Sequence, residues 1–139
     1  MREYKFRAWD KKKNKMLYLT PNDTILFKNG KCTVWKENQY DETEECFCCE
    51  TFNNVIPMLY SGRKDKNGTL VFDDDILHKE GCWDVRIEFE NGVFWVRDAD
   101  RTRYVNKILN TPISDFAIEE FEVIGNVWGN PELLKEGNV

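Results

Sequence analysis

The residues best suited to chemistry in this chain are five cysteines, a single histidine and a run of three aspartates. Cys46-x-x-Cys49 followed by His78-x-x-x-Cys82 offers three thiolates and one imidazole, a legitimate donor set for tetrahedral zinc. The 28 residues between the two pairs permit a site without specifying one, and Cys48 lies inside the first pair. Glu45 to Phe52 reads equally well as an extended stretch in which the thiols pack as small apolar groups. With Cys32 the cysteine count is odd, and reduced thiols are the expected state, with no metal or other cofactor. Asp73-Asp74-Asp75 could gather Mg²⁺ or Ca²⁺ through oxygen donors, but a calcium loop needs alternating acids, a central Gly and a closing Glu. A turn entering a strand explains the same residues, with Asp75 bonding nearby backbone amides. His78 has no recognisable nucleophile to serve, and Ser61-Gly62 followed by Asn67-Gly68 lacks the order of a phosphate loop. Among 25 acidic residues any chosen carboxylate pair is uninformative, so an enzyme is not expected.

Binding chemistry is more legible in the distribution of charge. The formal net charge is -5, yet residues 1–15 hold seven Lys or Arg against two acids, leaving 13 basic and 23 acidic side chains in the remainder. An acidic whole repels a polyanion, so Arg2, Lys5, Arg7 and the turn Lys11, Lys12, Lys13 and Lys15 are the one place for nucleic acid, with Trp9 or another aromatic stacking on bases. The same turn reads more simply as a solvated hairpin loop, since Lys-rich loops usually serve solubility. Trp9, Trp35 and Trp128 could instead anchor a protein partner at a surface, or simply fill the core.

The elements that must position these residues are mostly strands. Tyr4, Phe6 and Ala8 alternate with Lys5, Arg7 and Trp9, and the Lys-rich turn reverses the chain into Met16–Leu19. Thr24–Lys28 meets Asn29-Gly30, a dipeptide that accepts the positive φ of a two-residue hairpin turn, and returns as Lys31–Trp35. Lys36–Glu45, rich in acids, is expected to be an exposed loop between an N-terminal segment, 1–45, and the rest, 46–139. Trp83–Glu90, Asn91-Gly92 and Val93–Arg97 form the clearest hairpin, with Val85, Ile87 and Phe89 on one core-facing side. Ile113–Phe121 is expected to hold a short helix, Glu122–Trp128 a buried strand, and Asn130-Pro131 the start of a final short helix. Mean hydropathy of -0.64 and the absence of an 18-residue apolar run argue against a membrane span. No apolar run follows Met1, so no secretory leader is expected either.

Three stretches together resemble the YopX family of phage and prophage proteins. They are Lys5-Phe6-Arg7-Ala8-Trp9-Asp10, the segment Tyr60-Ser61-Gly62-Arg63-Lys64-Asp65-Lys66-Asn67-Gly68 with Val71 to Ile76, and the closing Glu122 to Leu134. Within them Tyr60, Gly62, Asp65, Asn67, Gly68, Asp75, Gly125, Asn126, Asn130 and Pro131 carry the match. The chain departs from the family's pattern at Ser61, at Arg63, where the family has Leu, and at Asp73-Asp74, where it has Glu-Gly. The resemblance implies a mainly β protein, a small barrel or roll that is SH3-like in its C-terminal part, with one or two short helices. It implies a phage or prophage origin and assigns no catalytic residue. Together these readings give a cytoplasmic, non-enzymatic accessory protein that self-associates and meets a phage or bacterial host protein. Nucleic-acid binding through the basic N-terminal hairpin is the alternative.

Overall fold

The computed structural model describes residues 6–41, 46–100 and 109–134, and within 37–41 and 46–49 the backbone alone. The fold is mainly β, and two compact units divide the chain, Met1–Met58 and Leu59–Val139.

In the first unit, β1 (Phe6–Asp10) and β2 (Lys15–Tyr18) form an antiparallel hairpin with Asp10 opposite Lys15. The Lys-rich turn between them closes because Asn14 takes φ +51° and the Lys12 N–H donates to Asp10 Oδ1 at 3.0 Å. β3 (Thr24–Lys28), β4 (Lys31–Asp41) and β5 (Cys46–Phe52) make a second sheet in that order. Asn29 and Gly30 supply the paired positive φ values, +53° and +73°, that a two-residue turn of right-handed twist requires. Period-two alternation then sends Cys32, Val34 and Phe52 to one face, where they pack with Ala8, Leu17, Leu19 and Val55.

Two expectations are corrected in this unit. Lys36–Glu45 is not a loop throughout, since the β4–β5 ladder continues to Asp41 opposite Cys46, interrupted by a bulge between Glu37 and Tyr40. A backbone ladder needs no apolar side chains, which is why an acidic stretch can carry one. The expected division after residue 45 therefore falls between two paired strands of a single unit. The alternation along β1 predicts a half-buried strand, but Arg7, Trp9 and Asp10 are enclosed along with Ala8.

β6 (Ile56–Lys64) begins in the first unit and ends in the second, where it pairs with β7 (Leu70–Phe72). A bulge between Tyr60 and Arg63 contains Gly62 at φ +84°. β8 (Asp75–His78), β9 (Val85–Glu90), β10 (Val93–Asp98), β11 (Asn110–Pro112) and β12 (Glu122–Asn126) form one sheet in the order β11-β10-β9-β8-β12. Val85 and Ile87 face the core with Val71, Leu77, Val96, Ile118 and Phe121. Phe89 shares their face but stands beside the turn of the hairpin, packed on Phe94 at 4.7 Å between ring centroids and 39% exposed. Burying a Leu, Ile or Val of this set contributes about 1.5–3 kcal/mol each, so this cluster dominates the stability of the unit.

The expected helices are single 3-10 turns. Ile113–Asp115 and Ile118–Glu120 replace the longer helix, and Pro131–Leu134 closes the described chain with Leu133 N–H bonded to Asn130 C=O at 3.0 Å. Among the described residues no helix is long and apolar enough to cross a membrane.

Gly125 and Asn130 define the last turn between them. Asn130 Oδ1 accepts the Asn126 N–H at 3.2 Å, and a Cβ on residue 125 would stand 2.4 Å from that oxygen. Gly125→Ala is expected to destabilise the chain by about 1–3 kcal/mol, read from denaturant unfolding. Part of that loss should vanish when Asn130→Ala removes the opposing atoms, so the two changes combine non-additively in a double-mutant cycle.

Candidate functional site

The basic turn is the first candidate. Lys11, Lys12, Lys13 and Lys15 are all exposed, but they are not four independent cations. Lys13 Nζ lies 2.6 Å from Glu50 Oε1, and the ammonium groups of Lys13 and Lys15 stand 4.8 and 5.1 Å from the centroid of the Phe52 ring. The hydrogen bond to Glu50 raises the Lys13 pKa, and the same bond holds the Glu50 carboxyl below its ordinary range. Arg7 and Trp9, expected to share this surface, are 3% and 8% exposed and present no face to a ligand. Their burial follows from β1 being covered on both sides, which a single strand's sequence does not reveal. Arg2 and Lys5 lie outside the described residues.

The aspartate run is a turn, and two of its carboxylates serve the backbone while the third holds an indole. Asp75 Oδ2 accepts the Phe72 N–H at 2.8 Å across the β7–β8 connection, with Asp75 1% exposed. Asp73 Oδ1 accepts the Phe89 N–H at 2.9 Å, and Asp74 Oδ2 accepts the Trp128 Nε1–H at 3.0 Å. Asp74 itself takes φ +69°, a left-handed conformation that Asp tolerates better than most residues. It stands where the family's pattern has glycine, and it takes the positive φ that glycine adopts readily. Trp128 is thereby half-buried and committed to this turn, while Trp35 is half-buried on β4.

The other residues of the family motif brace the same unit. Asp65 is 5% exposed, and its Oδ1 accepts the N–H groups of Asn67 and Thr69, each at 2.8 Å. Its Oδ2 accepts the Val123 N–H at 2.9 Å, joining the loop to β12. Gly68 takes φ +81°, and Tyr60 packs on Phe72 at 5.6 Å between centroids. Asn126 Oδ1 accepts the N–H groups of Trp128 and Gly129 at 3.0 and 2.7 Å, and Pro131 opens the final 3-10 turn. Arg63 does work that Leu could not. Its guanidinium donates to the carbonyls of Ile113 and Phe116 at 3.0 and 3.3 Å and to Glu119 at 2.7 Å. Glu119 is held below its ordinary range by its own backbone N–H first and by Arg63 second.

The zinc set is only half in view. The side chains of Cys46 and Cys49 lie outside the described residues, His78 Nδ1 is 2.7 Å from Asp84 Oδ1, and Cys82 is exposed. Among the described residues no group of three or more His, Cys, Asp and Glu is placed to hold a metal ion. Cys32 is buried, and burial pushes its thiol pKa up, away from the reactive thiolate.

Two surface features escaped the sequence reading. On the face of β9 and β10 opposite the core, Arg86 pairs with Glu88 at 2.8 Å, and Arg97 reaches Glu88 and Glu90 at 3.0 and 2.8 Å, with its guanidinium 5.4 Å from the Trp95 ring. Glu90 first and Glu88 second raise the Arg97 pKa further. The alternation Arg86, Glu88, Glu90 opposite Arg97 carried this signal. The second feature is a set of exposed apolar side chains, led by Phe27 and Trp83 at 60% and 59%, with Tyr18, Leu26, Phe89, Val93 and Ile124. None of these was among the tryptophans expected at a surface.

This geometry defines a small, mainly β protein whose motif residues hold its own backbone in place. The family model for YopX protein matches residues 5–135, and the chain belongs to the YopX family. It resembles the crystal structure of protein EF1440 from Enterococcus faecalis, with 25% identity, 94% of this chain and 97% of that one covered, and a TM-score of 0.57. It also resembles protein yopX from Bacillus subtilis, with 22% identity, 97% and 98% coverage and a TM-score of 0.59. No curated protein matches the chain.

The Lys13–Glu50 pair makes a directional prediction. Glu50 is favoured in its charged form, so the pair's contribution is present above the ordinary Glu midpoint and fades as pH falls through the lowered one. In a side-chain NMR titration Glu50 should titrate below a free Glu, and Lys13→Met should move its midpoint back up.

Proposed function

We propose that this chain is a non-enzymatic phage or prophage accessory protein that acts in the bacterial cytoplasm by protein–protein contact and self-association. Its second unit serves as a small SH3-like roll, a reading supported by five short antiparallel strands whose last member returns to β8 after two 3-10 turns. The observation that carries the proposal is the set of large apolar side chains left at the surface. Phe27 and Trp83 are each more than half exposed, and such side chains are the usual anchors of protein interfaces. The motif residues, by contrast, spend their polar groups on the backbone of their own unit.

Nucleic-acid binding has narrower support. It retains the exposed Lys11 and Lys12, but Arg7 and Trp9 are buried and Lys13 is paired with Glu50.

The two readings separate on salt. Sedimentation of the full chain should give a mass above the 16.5 kDa of one copy, with no oligonucleotide binding that weakens steeply as salt rises. A single-copy mass together with salt-dependent oligonucleotide binding, weakened by Lys11→Glu and Lys12→Glu, would replace self-association with the nucleic-acid reading.

A further inference from the structure

Strand edges decide where a β protein recruits another chain, because an edge presents backbone N–H and C=O groups that lack partners. Several edges in this structure are blunted. β12 carries a bulge between Val123 and Gly125, and its Val123 N–H is taken by Asp65. β11 is three residues long and ends in Pro112. β2 begins with Lys15, and its Tyr18 C=O accepts from Lys36 Nζ at 2.6 Å. β3 carries one lysine, Lys28, at its turn end, and otherwise lacks these devices. It is the outer strand of the β3-β4-β5 sheet, it contains neither proline nor acid, and it exposes Leu26 at 45% and Phe27 at 60%.

The turn fixes which of its backbone groups face outward. In a two-residue turn with positive φ at Asn29 and Gly30, the flanking residues Lys28 and Lys31 form a hydrogen-bonded pair. Alternation then turns the backbone groups of Leu26 and Thr24 toward Thr33 and Trp35 of β4. Ile25 and Phe27 lie opposite Val34 and Cys32 at the non-bonded positions. The Cys32 carbonyl agrees with this phase, because it accepts the Val55 N–H at 3.0 Å, on the side away from β3. The N–H and C=O of Ile25 and Phe27 therefore point out of the sheet.

We propose that two copies of the chain pair through this edge, antiparallel about a two-fold axis at Leu26. The inference rests on the self-association reading and names the surface that performs it. An axis centred on any residue keeps the outward groups in phase, and the three centred on Ile25, Leu26 and Phe27 overlap most of the strand. Centring the axis on Ile25 places Phe27 opposite Asp23, and centring it on Phe27 places Ile25 opposite Asn29. Centring it on Leu26 sets Ile25 against Phe27 of the second copy, repeats that pair by symmetry, and sets Leu26 against itself. Only this register gives every apolar side chain of the strand an apolar neighbour. It also places Lys28 opposite Thr24, so no like charges face each other. Each Ile25–Phe27 pair exchanges two backbone hydrogen bonds, and the interface is self-complementary, as a closed dimer requires.

The register gives two independent tests on the full chain. Phe27→Pro removes one outward N–H and one apolar side chain without touching a bond to β4, and Phe27→Lys removes the side chain alone. Both variants should keep the wild-type circular dichroism and sediment as weaker dimers, with the dissociation constant raised at least about tenfold. Leu26 facing Leu26 across a non-bonded pair brings the Cα atoms to about 4.5 Å, within disulfide reach. Leu26→Cys should thus form a covalent dimer on mild oxidation, above the level of the wild-type chain, and Thr24→Cys should not. A wild-type chain that dimerises while both Phe27 variants dimerise equally and Leu26→Cys does not cross-link would overturn the β3 interface and leave self-association standing. A wild-type chain that stays a single copy at high concentration would overturn both.

Discussion

One buried carboxylate organises the second unit. Asp65 sits almost wholly out of water, where an unsatisfied charge would be strongly unfavourable, and three backbone N–H groups converge on its two oxygens. Two of those donors belong to its own loop and set the loop's shape. The third belongs to Val123, 58 residues along the chain, and fixes where β12 lies. The Lys66 N–H bonded to Phe121 C=O at 2.9 Å continues the same seam. Asp73, Asp74 and Asp75 repeat the device at the next turn, with donors from Phe89, Trp128 and Phe72. Acidic residues that could be read as ligands for a cation are thus ligands for backbone and indole N–H groups.

How much of this was legible depended on whether the information was local. Asn29-Gly30 and Asn91-Gly92 announced their hairpins because paired positive φ is a property of the dipeptide itself. Asp74 was less transparent, since the left-handed conformation is imposed by the turn around it and glycine would have signalled it directly. The acidic run before β5 concealed a ladder because sequence polarity reports on side chains while pairing is done by backbone. The helix expected at Ile113–Phe121 broke into two 3-10 turns, with Pro112 at the start of the first and Arg63 holding the carbonyls of Ile113 and Phe116.

The surface was the least legible part. Tryptophan is the residue most readily taken for an interface anchor, yet Trp9 is enclosed and Trp128 is tied to Asp74, while Phe27 and Trp83 stand out in solvent. Residue type says how much area a side chain could bury, and only the register of its strand says whether it does. Lys13 makes the same point for charge, because its partner Glu50 is 37 residues away and no local pattern links them.

The order of the strands also sets the order of events during synthesis. The β1–β2 and β3–β4 hairpins of the first unit are closed by short connections, so each can form as soon as its own residues have left the ribosome. In the second unit only part of the sheet has this freedom, the β9–β10 hairpin among it. The sheet is completed by β12 pairing with β8, nearly fifty residues earlier in the chain, and the Asp65 seam waits for Val123. Until Asn126 emerges, one side of β8 remains an open strand edge, exposed to the chaperones and neighbouring chains of a crowded cell.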